Sequence, residues 1–200
     1  MENTVYLKGV KKTESVAPSN SCRMPSQPLQ WQLHTLSDEF SIMRTLPEPG
    51  PENHFLGQHA ELLITSFQRL TGKHLIERRA SDIDTYRALF EAPFCVVSHG
   101  TEAEPVFNYG NRCALNVFEM SWLDFTNLPS KESAQPANRE ERTKMLAQVS
   151  EYGFIDHYRG VRISASGRRF QVEDAVVWNL LDEQGIYRGQ AAALFQWSDL

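Results

Sequence analysis

Hydrophobic positions first recur at helical spacing over residues 54–71, where Phe55, Leu56, His59, Leu62, Leu63, Phe67 and Leu70 share one side and Gly72 marks a stop. A shorter helix is predicted over Asp82–Phe90. Pro93 then opens a strand at Phe94–Ser98, His99-Gly100-Thr101 turns the chain, and Val106–Tyr109 reads as a second strand ended by Gly110. Two short helices follow. One spans 111–119, with Ala114, Leu115 and Phe118 on one side; the other is capped by Ser121, carries Trp122, Phe125 and Leu128, and ends at Pro129. Asn138 with Glu141 resembles a capping box for a longer helix at 139–151, closed by Gly153. Three long strands complete the pattern, at about 154–165, 168–181 and 186–197. The expected class is α+β: a five-stranded antiparallel sheet with short helices on one face and an N-terminal helix.

The pattern also predicts a register. In 168–181 the even positions Phe170, Val172, Asp174, Val176, Trp178 and Leu180 are apolar except Asp174, so this face is expected to meet the core. A two-residue loop at Ser166-Gly167 sets Ile163 opposite Phe170 and Arg159 opposite Asp174, a buried ion pair on the core side. Closing Leu181 on Ile186 sets Trp178 opposite Gly189 and Asp174 opposite Ala193. The alternate face, with Ala175, Val177, Leu181, Ala192 and Leu194, is apolar too, so the helix at 54–71 or a second subunit is expected to cover it.

Six of the ten prolines fall before residue 52, among Ser, Asn, Gln and Thr. Residues 1–52 are therefore expected to be a disordered tail, with at most a short helix near Trp31–Met43, and 53–200 the folded domain. The net charge of −5 argues against a nucleic-acid partner. No apolar run reaches the roughly 18 residues of a membrane span, and no signal peptide is read. Three widely spaced cysteines, Cys22, Cys95 and Cys113, suit a reducing compartment, so a cytoplasmic location is expected, with organelle import through the tail as the alternative.

Phe107-Asn108-Tyr109-Gly110-Asn111-Arg112-Cys113-Ala114 resembles the entry of PAS domains into their first short helix, and Ser164–Phe170 resembles a PAS hairpin turn with Ser166 where Asp is usual. The likeness is closer to one subgroup, the MEKHLA domain, through Ala92–Glu102, Phe107–Asn111, Val172–Leu180 and Gly189-Gln190-Ala191-Ala192, and covers about residues 54–197. Similar domains stand alone in bacteria and algae or close plant class III homeodomain–leucine-zipper proteins. No homeodomain or zipper is read here, so DNA binding is not expected. The resemblance implies a sensory or interaction module with no settled ligand.

The expected site is a pocket between the sheet and the short helices, with Phe94, Phe118, Trp122, Arg159, Asp174, Trp178 and Ala193 as candidate lining residues. Plain core packing is the competing reading for each aromatic. The cofactor is left unknown. His54 and His59 are off a shared helical face, and no histidine lies on 139–151 for haem ligation. Cys113 sits too early for the flavin-linking cysteine of some PAS relatives and is read as packing. No phosphate loop or nucleophile motif is present, so no enzyme is expected. Two functions follow: a sensor of a small apolar or aromatic molecule, or a homodimerising interaction module without ligand.

Overall fold

The computed structural model describes residues 46–134 and 139–200. The tail expectation for 1–45, including the helix near Trp31–Met43, and the Asn138 cap lie outside the described residues. Residues 46–52, assigned to the tail, are described and pack on the domain: the Trp122 indole donates to the Leu46 carbonyl at 2.7 Å, and Pro51–Asn53 form a 3-10 turn.

Helix α1 (Gly57–Thr71) buries Ala60, Leu63, Ile64 and Phe67 and ends at Gly72, left-handed at φ 70°. It starts three residues later than its apolar pattern, because His54, Phe55 and Leu56 are left-handed (φ 52–57°). The Asn53 side chain holds that turn by accepting from the backbone N–H groups of Gly50 and Leu56, each at 3.0 Å. Helix α2 (Asp82–Phe90) is capped by Ser81. Strands β1 (Cys95–His99) and β2 (Phe107–Gly110) precede α3 (Arg112–Phe118), α4 (Trp122–Phe125) and α5 (Arg139–Tyr152). Then come β3 (Phe154–Ile155), β4 (Gly160–Ile163), β5 (Arg169–Leu181) and β6 (Tyr187–Asp199).

The class and the element order hold: helices, two strands, short helices, then antiparallel strands. The strand count does not. Among the described residues the sheet has six strands in the order β2-β1-β6-β5-β3, with β4 also on β5. The expected strand 154–165 breaks at Asp156–Arg159, where His157 is left-handed (φ 53°). The break lies against the irregular stretch of β5 between Val172 and Ala175.

The predicted register fails as well. Arg162 pairs with Phe170 and Ile163 with Arg169, one residue away from expectation. The cause is the turn. Ala165 N donates to the Phe118 carbonyl at 2.9 Å, and the Ser164 and Ser166 hydroxyls both donate to Glu119. These bonds hold residues 164–168 against the end of α3 and out of a tight two-residue hairpin. Across the next turn Trp178 pairs with Ala191 and Asp174 with Gln196, not Gly189 and Ala193.

The face assignment changes too. Irregular pairing at Glu173 and Phe195 reverses side-chain alternation in both long strands. Phe170 meets Phe118 of α3, whereas Trp178 meets Phe67 of α1 edge-on at 5.0 Å. Helix α1 thus covers the face with Val176, Trp178 and Leu180. The opposite face, with Ala175, Val177 and Ala192, is covered from within the same chain by Met145 and Val149 of α5.

Asn111 ties the two halves. Its side-chain oxygen accepts from Val96 N (2.9 Å) and Ala114 N (3.0 Å), and its amide donates to the carbonyls of Phe94 (2.8 Å) and Leu89 (3.3 Å). One fully buried side chain therefore caps α3 and anchors β1.

Candidate functional site

Alanines on the long strands leave space where larger residues would close the sheet onto the helices. Ala175 on β5 and Ala192 on β6 face α3 and α5 across a cavity of about 50 Å³. On the scale where one water needs roughly 10–15 Å³, that is room for a few water-sized groups. Its walls are mainly apolar, with Val97, Phe107, Phe118, Val177 and Leu194.

Polar groups enter at three places. His99, buried on β1, donates from Nδ1 to the Gly100 carbonyl at 2.9 Å; a carbonyl only accepts, so Nδ1 carries the proton. Gln190 on β6 donates to the Asn179 side chain at 3.1 Å and to the Ser150 hydroxyl at 3.2 Å, and Asn179 donates to the Val149 carbonyl at 2.9 Å. This chain fastens α5 to the sheet beside the cavity. Arg162 on β4 stacks over the Tyr158 ring at 5.3 Å and donates to the Tyr158 hydroxyl (2.9 Å) and the Val161 carbonyl (3.0 Å). Among the described residues no carboxylate forms an ion pair with it.

Of the candidate lining residues, Phe118 alone lines this cavity. Phe94 is half-buried and packs on Phe195 at 5.1 Å. Trp122 packs edge-on against Tyr109 and bonds to Leu46. Trp178 and Ala193 are fully buried, Trp178 against Phe67 of α1 and Ala193 between Val96 and Val176. The Arg159–Asp174 pair does not form. Arg159 is exposed and donates to the Glu173 carbonyl at 3.1 Å, while Asp174 pairs with His157 at 3.3 Å. The one-residue register change puts Arg162, not Arg159, at the cavity. Sequence reasoning also missed His99 and Gln190; the signal for Gln190 was its place in Gly189-Gln190-Ala191-Ala192.

A second polar cluster lies on the α1 face. His59 Nε2 is 2.8 Å from the Ser98 hydroxyl, which donates to Asn108 at 2.6 Å, and the His59 ring stacks on Tyr109 at 5.4 Å. Burial pushes the His59 pKa down to about 4. Ser98 is itself buried, so this chain is a structural bridge between α1, β1 and β2. Among the described residues no group of three or more His, Cys, Asp or Glu could hold a metal ion, and no helix is long and apolar enough to cross a membrane.

The MEKHLA domain model matches residues 57–199. The chain belongs to the MEKHLA domain family. Among curated relatives, this MEKHLA protein is 23% identical over 153 residues to the homeobox-leucine zipper protein HOX32 of Oryza sativa subsp. indica, covering 76% of this chain and 18% of the relative. It is 26% identical over 141 residues to HOX9 of the same subspecies, covering 70% of this chain and 17% of that one. The chain thus spans less than a fifth of those relatives. A solved PAS domain from Colwellia psychrerythraea overlays with a TM-score of 0.48 at 12% identity, covering 57% of this chain and 92% of that one. The PAS resemblance rests on Phe107–Ala114 and Ser164–Phe170 of this chain and not on that overlay.

Proposed function

We propose that this MEKHLA domain is a sensory or regulatory module that binds a small ligand between the inner sheet face and α3–α5, with no covalent catalysis of its own. The supporting observation is the cavity of about 50 Å³ with the Arg162 guanidinium in its wall and no carboxylate partner for it among the described residues. A half-buried guanidinium favours an anionic acceptor. The volume restricts the ligand to a few heavy atoms, so a short carboxylate fits the site better than the small apolar or aromatic molecule expected for a PAS-like pocket. Binding would press on α5 through Gln190, Asn179 and Val149, which gives the signal a route out of the domain.

Thermal unfolding tests this reading. Formate, acetate and propionate should each raise Tm above chloride at equal ionic strength, with saturation. Ala192→Leu, which fills the cavity, should remove the effect. Equal Tm values for carboxylates and chloride would refute it. Helix α5 covers within one chain the apolar face that suggested a second subunit, so a homodimer would use another surface, which sedimentation of the full chain would read. A net charge of −5 gives no support to a nucleic-acid partner, and three widely spaced cysteines suit a reducing compartment such as the cytoplasm.

A further inference from the structure

Cys95 opens β1 and Cys113 lies in the first turn of α3, and their sulfurs are 3.5 Å apart. The two are unequal. Cys95 is fully buried, while Cys113 is partly exposed and its Sγ also lies 3.6 Å from the Pro93 carbonyl. The contact is held by the backbone on both sides. Asn111, two residues before Cys113, bonds to Phe94 O and Val96 N, the groups flanking Cys95. A disulfide needs about 2.05 Å between sulfurs, so the two must approach by about 1.5 Å.

We propose that Cys95 and Cys113 form an oxidisable dithiol, a modification site at which hydrogen peroxide closes a disulfide between β1 and α3. The inference does not rest on the cavity reading. Cys113 is the attacking sulfur. Either sulfur can donate across this contact, and the Cys113 thiol can also donate to the Pro93 carbonyl; the hydrogen bond from Cys95 holds the Cys113 pKa below the usual thiol value, while the same bond, with burial, pushes Cys95 up. In the first step the Cys113 thiolate attacks one peroxide oxygen, the O–O bond breaks, and hydroxide leaves to become water by taking up a proton. Cys113 is then a sulfenic acid. In the second step Cys95 gives up its proton and attacks the Cys113 sulfur. The S–O bond breaks, and the departing hydroxide takes that proton to form a second water. Two thiols and one peroxide become one disulfide and two waters; the sulfurs lose two electrons and the peroxide gains them. The link would join the strand carrying Val97 to the helix carrying Phe118.

The test uses the full chain treated with hydrogen peroxide, quenched by alkylation and mapped by peptide mass spectrometry. The expected result is a monomer lighter by two hydrogens, with a Cys95–Cys113 linked peptide that dithiothreitol separates. In Cys95→Ser the expected result is a Cys113 sulfenic acid trapped by dimedone, and in Cys113→Ser an unoxidised Cys95. The wild-type map decides alone if either variant fails to fold. The proposal is overturned if Cys113 accumulates as sulfenic or higher acid while Cys95 stays free. It is equally overturned if the link formed runs to Cys22, or if both thiols survive peroxide that oxidises Cys22.

Discussion

His59 shows how one residue carries a pH signature. Its ring bridges α1 to the sheet through Ser98 and Tyr109, and burial lowers its pKa to about 4 in the folded chain. The unfolded value is near 6.5. The folded state therefore resists the proton that the unfolded state accepts. Stability from this source is fully present above about pH 6.5 and is lost as pH falls towards 4. Urea unfolding at pH 7 and pH 5 should show a lower midpoint at pH 5, and His59→Gln should show a smaller drop over that interval. An equal drop in both proteins would contradict the assignment. At this scale the sequence was partly legible. Asn111 was visible through its motif, whereas His59 appeared only as a face residue of a helix, because its partners Ser98 and Tyr109 lie on two strands far away in sequence.

At the scale of elements, glycines decide how the long hairpin closes. Gly189 has φ 128°, and a Cβ there would sit 2.0 Å from the His99 carbonyl oxygen, so β6 cannot approach the end of β1 this closely with a side chain at position 189. Gly185 has φ 79° but open space around it. Gly185→Ala should cost about 1–2 kcal/mol, the usual left-handed penalty. Gly189→Ala should cost more, about 3 kcal/mol or above, because backbone atoms must also move apart. Denaturant titration checks the order; similar costs for both would remove Gly189 from its role. Helix existence, the strands at 95–110 and the two long C-terminal strands, and the α+β class were legible because each rests on local periodicity and on Gly, Pro, Ser and Asn punctuation. Register was not. It depends on how Ser164 and Ser166 bond to Glu119, some 45 residues earlier, and on the irregular pairing at Glu173 and Phe195. Those bonds pull Glu119 down to a pKa of about 2, chiefly through the Ser166 and Ser164 hydroxyls. One slipped residue exchanged Arg159 for Arg162, and the irregular pairing at Glu173 and Phe195 turned Trp178 away from the face of Phe170.

Across the whole molecule, α1 and α5 press on opposite faces of one sheet. Phe67 against Trp178 fills the first interface, while alanines against Val149 and Met145 leave the second with space. That asymmetry is the physical basis for assigning ligand binding to the α5 side. The most direct measurement is a two-dimensional amide NMR titration of the full chain with acetate. The account predicts saturable shifts centred on Val97, Arg162, Val177 and Ala192, with a smaller response along α5 at Val149. Shifts confined to the outer surface near His157 and Arg159, or none that saturate, would contradict it.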